Sequence, residues 1–142
     1  MDHSTTRIRR SFDRQAMMHT LGAELTHVAP GVCEISAPIL PLATQQHGAG
    51  HAALCFALGD SAAGYAALTL MPPEQEVMTV EMKINLLAPA VGDRLIARGT
   101  VMRAGRRLSV VTAEVVAQTA AGEKTVALLQ GTMIPVAASA EP

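Results

Sequence analysis

An acidic residue in the middle of an apolar segment is the first feature of this sequence that could carry chemistry. Asp60 is the only acidic or basic residue, histidine aside, among positions 51–70, which are mostly alanine, leucine and glycine. A carboxylate in a helix that buries itself is costly unless it is paired or functional, or unless it faces water at the helix edge. Asp60 is therefore the first candidate for a catalytic residue.

His51 opens the same segment and is preceded by a glycine-containing loop. The helix predicted over 51–70 leaves the backbone N–H groups of residues 51–54 unpaired at the positive end of its dipole, where they could polarise a carbonyl or hold an anion. His51 and Asp60 lie about 13 Å apart along the helix axis and on opposite sides of it. They cannot converge on one substrate within one chain, so a site that uses both requires a dimer.

Three arginines form the second group of candidate residues. Arg103, Arg106 and Arg107 flank a tight glycine turn. They form either a solvated hairpin tip or a clamp for phosphates. The basic residues are unevenly placed, since no Lys or Arg occurs from Gln15 to Met82 and seven of the eleven lie between Lys83 and Lys124. This excess of basic residues forms either an ordinary solvated face or a place where an anionic ligand meets the second half of the chain.

Patterns typical of metal and cofactor sites are missing from the sequence. His47 and His51 have the spacing of a metal-binding pair, but the glycines beside them and the lack of a Glu between them argue against zinc. No glycine-rich phosphate-binding or dinucleotide-binding pattern occurs. Two cysteines are too few for a disulfide framework or a thiolate metal site. We therefore expect no metal and no cofactor.

Composition excludes several other classes of protein. The net charge is −1 and only three aromatic residues occur, which argues against a nucleic-acid-binding module. Asp60 at the centre of the apolar run argues against a membrane span. No apolar region follows the arginines near the N-terminus, which argues against a signal peptide. We expect a cytoplasmic protein that binds neither nucleic acid nor membrane.

The length of 142 residues predicts one domain over 11–142, after a disordered tail over 1–10. A short helix is expected from Ser11 to Leu21, closed by a glycine, and the apolar segment is expected to form a long helix that ends before two prolines. Strands are predicted by alternation and by turn residues, at 24–28, 32–37, 77–87, 94–103, 108–118 and 125–134. Short links after residue 87 predict that the last four strands pair sequentially as antiparallel neighbours.

Two features of these elements bear on the site. The strand over 77–87 alternates, with Met78, Val80, Met82, Ile84 and Leu86 on one face and Thr79, Glu81, Lys83 and Asn85 on the other. A helix that is apolar nearly all round must be covered nearly all round. The simplest solution is a curved antiparallel sheet of about six strands around the long helix, with alanines permitting close approach.

At this point the sequence resembles the PaaI-like hotdog-fold thioesterases of the 4-hydroxybenzoyl-CoA thioesterase superfamily. That family's motif is Asn or Gln, five residues, His-Gly-Gly, and an acid nine residues after the His. The resemblance covers about residues 20–135 and rests on Gln45, His51-Ala-Ala-Leu-Cys-Phe-Ala-Leu-Gly-Asp60, Val77-Met-Thr-Val-Glu-Met-Lys-Ile-Asn-Leu-Leu-Ala-Pro-Ala90, Gly92-Asp, Arg103-Ala-Gly-Arg and Thr125-Val-Ala. It implies an α+β hotdog fold, with a curved antiparallel sheet around one long central helix.

The resemblance also implies a role for each motif residue. Asp60 would be the nucleophile or the general base in thioester hydrolysis, and the backbone N–H of Ala52 would point at the thioester carbonyl. Gln45 would orient water or substrate, and Thr79 matches a hydroxyl that holds the attacking water in some relatives. His51 would shape the loop and the helix start.

The partners follow from the same likeness. The substrate would be an acyl-CoA ester, whose phosphates Arg103, Arg106 and Arg107 would meet. The chain would form a homodimer with shared active sites, because the acid of such enzymes faces the partner's helix start. The sequence leaves open whether two such dimers associate into a tetramer. His-Ala-Ala replaces the family's His-Gly-Gly, which would narrow the acyl pocket, although a helical backbone accepts alanine and keeps the N–H. Two alternatives stay open: an acyl-CoA-binding module without hydrolysis, and a hotdog hydratase or dehydratase.

Overall fold

The computed structural model describes residues 2–139 and places a long helix within a curved six-stranded sheet. Within this range the chain forms, besides a 3-10 turn at Pro41–Ala43, the elements α1 His3–Asp13, α2 Ala16–Thr20, β1 Glu24–Ala29, β2 Val32–Ala37, α3 Ala52–Leu68, β3 Gln75–Leu86, β4 Arg94–Ala104, β5 Ser109–Thr119 and β6 Gly122–Ala137. The strand order is β1-β2-β4-β5-β6-β3, with every neighbouring pair antiparallel. The predicted hotdog architecture is confirmed.

The central helix α3 packs against five of the six strands. Eleven of its 17 residues are buried. Small residues allow this close approach: a Cβ at Gly99 on β4 would overlap the backbone of Ala62 and Ala63, and one at Gly59 would lie 2.8 Å from the side chain of Leu129. No helix within residues 2–139 is long and apolar enough to cross a bilayer.

The N-terminal segment differs from its prediction. Residues 1–10 were expected to be disordered, but helix α1 begins at His3 and buries Ile8 and Phe12 completely or nearly so. These two apolar residues, four positions apart on a mostly polar helix, are enough to anchor it because they enter the main core. The short helix expected over 11–21 is correspondingly broken into the end of α1 and the separate α2.

Strand β3 pairs with β6, so the prediction that β3 pairs with β4 is wrong. The sequential pairs β4–β5 and β5–β6 do form. The link after β3 is short, but it runs across the ends of the neighbouring strands: the Leu87 N–H donates to Val126 O of β6, and the Asp93 N–H donates to Gln118 O of β5. The link thereby crosses two strands before it enters β4, and β3 becomes an edge of the sheet.

A β-bulge at Val80 also overturns the predicted alternation of β3. The register shifts by one residue between Thr79 and Glu81. Met82 and Ile84 pack on the core as expected, but Met78 and Val80 are more than half exposed, and Val77 packs inward in their place. One extra residue reverses the faces on its N-terminal side. The bulge therefore turns Thr79 towards α3.

Candidate active site

The start of α3 is built around His51, which is the N-cap of the helix. Its backbone is extended (φ −61°, ψ 145°), and its Nδ1 accepts a hydrogen bond of 2.9 Å from the Ala53 N–H. A ring nitrogen that accepts carries no proton, so the neutral imidazole holds its proton on Nε2. His51 is thus the side-chain cap of the helix start.

The Ala52 N–H next to this cap is a free donor. Ala52 is exposed, and no acceptor for its N–H occurs among residues 2–139. The first N–H groups of a helix have no intrahelical partner, and they lie at the positive end of the dipole. Because His51 binds the neighbouring Ala53 N–H, the Ala52 N–H stays available to a carbonyl oxygen or an oxyanion.

The loop before the helix, which contains Gln45, is connected to the helix start by backbone hydrogen bonds. The Gln45 N–H donates to Ala49 O at 2.9 Å, and the His51 N–H donates to Ala43 O at 2.8 Å. The Gln45 side-chain oxygen accepts from the His47 N–H at 2.6 Å. That oxygen is therefore used within the loop, whereas the amide nitrogen of Gln45 makes no hydrogen bond among the described residues.

Asp60 and Thr79 form the second part of the site. Asp60 is half-buried on α3, and its Oδ1 accepts a hydrogen bond of 2.8 Å from the Thr79 hydroxyl. No Lys, Arg or His of the described residues forms an ion pair with this carboxylate. Asp60 is thus a partly accessible acid held by one neutral donor, and its Oδ2 has no hydrogen-bond partner within residues 2–139.

The structure separates the predicted residues into two groups. Gln45, His51 and Ala52 surround the helix start, whereas Asp60 lies with Thr79 about two and a half turns farther along. No hydrogen bond in residues 2–139 joins the two groups. Sequence reasoning missed Met133, a buried residue whose sulfur lies 3.2 Å from the Thr79 hydroxyl. Only the cross-strand register, which the sequence does not reveal, brings Met133 opposite Thr79.

The three arginines lie at the tip of the β4–β5 hairpin. Arg103, Arg106 and Arg107 are all exposed. The cross-strand register connects this hairpin to the site, because Ala104 pairs with Ser109, Ser109 with Met133, and Met133 with Thr79. Three strand spacings separate the two ends of this row, which is about 14 Å. The arginine tip therefore lies at the same level of the sheet as Thr79.

The remaining groups that could bind a metal ion or act as nucleophiles include the two cysteines. Residues 2–139 hold no group of three or more His, Cys, Asp or Glu placed to bind a metal ion. Cys33 and Cys55 are buried, and burial raises the pKa of the Cys33 thiol to about 12 and also raises the pKa of Cys55. A thiol held neutral is a poor nucleophile, so neither cysteine suits covalent catalysis.

Comparison with known proteins places the chain in a family. The sequence profile of the thioesterase superfamily matches residues 47–122, more than half of the chain. The chain belongs to the thioesterase superfamily. A thioesterase family protein from Silicibacter pomeroyi is 40% identical to this thioesterase and has the same fold, with a TM-score of 0.93 over 95% of this chain and 99% of the other. No curated protein matches the sequence.

Two further solved structures connect this thioesterase with PaaI proteins. A variant of the phenylacetic acid degradation protein PaaI from Thermus thermophilus is 28% identical, with a TM-score of 0.73 over 83% of this chain and 96% of the other. PaaI from E. coli shares the fold at 23% identity, with a TM-score of 0.85 over 96% of this chain and 95% of the other. The PaaI-like resemblance seen in the sequence is confirmed.

Proposed function

We propose that this thioesterase hydrolyses an acyl-CoA ester to the free acid and CoA, with Asp60 as the general base. The observation that carries the proposal is the hydrogen bond from Thr79 to Asp60 Oδ1, which fixes an otherwise unpaired acid and leaves Oδ2 open to a water molecule. General-base catalysis needs a carboxylate in this state. The free N–H of Ala52 supplies the donor for the thioester oxygen.

The reaction then needs the helix start of a second copy of the chain. Asp60 of one copy takes a proton from water, the hydroxide attacks the thioester carbon, and the Ala52 N–H of the other copy stabilises the oxyanion. CoA leaves as a thiol when the C–S bond breaks and the sulfur receives the proton from Asp60. Two helices that face each other in this way run antiparallel, and pairing position 52 with position 60 places Phe56 opposite its own copy.

The exposed side of α3 agrees with such a pairing. Ala52, Phe56 and Asp60 lie within one strip, at successive turns of the helix, and the Phe56 ring is 37% exposed in the single chain. The edge strand β3, joined to this strip through Thr79, carries the exposed apolar side chain of Met78. A homodimer that covers both features would bury this apolar surface and complete two sites at once.

The decisive experiment is an assay of free thiol release with a panel of acyl-CoA esters. Asp60→Ala and the isosteric Asp60→Asn are expected to lower kcat by about 100- to 10,000-fold, the range for loss of a general base. Asp13→Asn, at an exposed acid on α1, serves as the matched control and should retain activity. Unchanged turnover in folded Asp60→Asn would overturn the assignment. Tight binding of CoA esters by the wild type without thiol release would instead favour a binding module.

A labelling experiment separates the general base from a nucleophilic role for Asp60. In a single turnover in ¹⁸O-water, a general base puts the label directly into the released acid. A nucleophilic carboxylate would form an acyl-enzyme anhydride, and water attack at its Asp60 carbonyl would give an unlabelled acid and a labelled Asp60. Water attack at the acyl carbonyl would label the acid, but borohydride would then trap the anhydride at Asp60. We expect label in the acid and no trapped anhydride.

The arginine tip is proposed to bind the phosphates of CoA. Combined replacement of Arg103, Arg106 and Arg107 by Ala should raise KM for CoA esters, since each arginine offers charge-assisted hydrogen bonds to phosphate. A thioester of N-acetylcysteamine, which has the same acyl group but no phosphates, serves as the control substrate, and its KM should not change. An unaltered KM for CoA esters in the triple variant would exclude this role.

A further inference from the structure

The Thr79 hydroxyl lies between two acceptors, of which only one is the catalytic acid. Its oxygen is 2.8 Å from Asp60 Oδ1 and 3.2 Å from Met133 Sδ. Met133 is completely buried and is the direct cross-strand partner of Thr79. A threonine hydroxyl has one hydrogen, so it can donate to only one of these atoms at a time.

The position of the sulfur follows from the bulge in β3. If Val80 were a regular strand residue instead of the bulged one, strict alternation from Met82 would turn the Thr79 side chain away from α3. With the bulge, Thr79 and Met133 both face the helix, and the end of the Met133 side chain lies near Gly64. The unbranched thioether fills this space and brings a polarizable acceptor to the hydroxyl.

We infer that Met133 is a positioning residue for the reaction: its sulfur contacts the Thr79 hydroxyl beside Asp60 and is a second acceptor that competes for the Thr79 hydrogen when Asp60 becomes neutral. This inference rests on the proposed role of Asp60 as general base. An ionised carboxylate is a much stronger acceptor than a thioether, so the hydrogen points to Asp60 in the resting enzyme. A protonated carboxyl is a weaker acceptor, and the sulfur then competes for the hydrogen.

In the proposed reaction, Asp60 gains one proton and loses it again during each turnover. When water attacks, its O–H bond breaks and the proton goes to Asp60 Oδ2, while the oxygen bonds to the thioester carbon and the carbonyl electron pair moves onto oxygen. When the intermediate collapses, that pair re-forms the C=O bond and the C–S bond breaks. The proton then passes from Asp60 Oδ2 to the sulfur of the departing CoA. Met133 keeps the Thr79 side chain in place through both steps because its sulfur is within reach of the hydroxyl throughout.

A double-mutant cycle tests this coupling. Met133→Leu conserves volume and removes the sulfur, so the protein is expected to fold. We expect it to lower kcat about threefold to tenfold with KM unchanged, the range for one neutral hydrogen bond. In a Thr79→Val background, which has no hydroxyl, Met133→Leu should have no further effect on kcat. A similar loss of kcat in both backgrounds, or no loss in either, would overturn the inference.

Met82→Leu is the matched control for the cycle. Met82 lies on the neighbouring strand β3 and also packs on the core, but its sulfur makes no hydrogen bond among the described residues. The same substitution there should leave kcat unchanged in both backgrounds. A loss equal to that of Met133→Leu would show that the effect belongs to core packing.

A spectroscopic test does not depend on turnover. With ¹³C-methyl-labelled methionine, the Met133 resonance is assigned by its disappearance in Met133→Leu. It should move when Asp60→Asn removes the charge, and this displacement should shrink to less than half in the Thr79→Val background. Equal displacements in both backgrounds would exclude the hydroxyl as the connection. This result is readable even if Asp60 proves not to be the base, so the two proposals can fail separately.

Discussion

The two ends of helix α3 are treated in opposite ways by the rest of the chain. At its start, His51 satisfies the Ala53 N–H but the Ala52 N–H is left exposed and free. At its end, other elements bond to the last residues: the Gly31 N–H donates to the Thr69 hydroxyl at 2.8 Å, and Arg7 donates to the carbonyl oxygens of Met71 and Pro72 just beyond the helix at 3.2 and 3.1 Å.

The side chains repeat this difference. In the first half of α3, Phe56 and Asp60 remain accessible, whereas residues 62–68 are all buried. Within that buried half the Tyr65 hydroxyl bonds to Ser11 at 3.1 Å and to the Gln15 amide at 2.7 Å, which ties the N-terminal segment to the helix. One end thus retains unsatisfied groups, where we propose that a ligand and a second copy bind, while the other anchors the fold.

Ala52→Pro tests the open end most directly, and we expect the largest effect there. Proline suits the first position of a helix and requires an extended residue before it, which His51 already is. The substitution therefore removes the N–H donor without breaking the helix. Losing one oxyanion donor should lower kcat about 100- to 1,000-fold. The measurement is thiol release under saturating acyl-CoA, beside a thermal melt.

Ala52→Gly is the control for this substitution. It keeps the N–H and restores the glycine that is typical of the family at this position, so activity should be retained. If Ala52→Pro and Ala52→Gly turned over substrate equally, the free N–H would have no part in the reaction and the contrast between the helix ends would lose its functional meaning.

The elements and the motif positions were predictable from sequence because they depend on local patterns. The apolar run predicted α3 to within two residues, and five of the six strands were predicted within two residues at each end. Residues 1–10 were not, since a helix with two apolar residues is stabilised by tertiary contacts to Tyr65 and Met71 that no local pattern contains. The end of β6 was underestimated for a similar reason, because its last residues are held by pairing with β3.

The candidate site residues could be proposed from the sequence, but the contacts between them could not. The motif spacing gave Asp60 and His51, while alternation placed Thr79 on the face opposite to the core. A bulge adds a single residue to a strand, and the sequence of β3 contains no pattern that marks it. The orientation of Thr79 towards Asp60 follows from the pairing of β3 with β6. For the same reason Met133 gave no signal until its strand partner was known.

Arg7→Ala tests the closed end, where we expect a loss of stability rather than of rate. Removing hydrogen bonds from a charged donor to the Met71 and Pro72 carbonyls should lower the free energy of unfolding by about 1.5–3 kcal/mol, and less if solvent replaces the guanidinium. Urea unfolding measures this change. Arg9→Ala, at an exposed neighbour on α1, is the control and should change stability by less than about 0.5 kcal/mol.

The rate measurement decides what the Arg7 result means. Folded Arg7→Ala should keep the wild-type kcat, because the closed end lies away from Asp60 and from the helix start. A drop in kcat at temperatures where the variant is fully folded would contradict the division of α3 into a functional end and an anchoring end.

The buried surroundings of Tyr65 predict a smaller, pH-dependent effect. Burial raises the pKa of the Cys33 thiol from 9.0 to about 12 and raises the pKa of Tyr65 as well. Because the folded pKa of Cys33 exceeds the unfolded one, its contribution to stability is complete below pH 9 and is lost as the pH rises towards 12, with a slope of about 1.4 kcal/mol per pH unit. Urea unfolding at pH 8 to 10.5 should show this decline in the free energy of unfolding. In Cys33→Ala the contribution of the thiol to the slope above pH 9, about 1.4 kcal/mol per pH unit, should be missing. Equal slopes in the two proteins would mean that the thiol is open to water, and the closed half of α3 would then be less tightly packed than the structure describes.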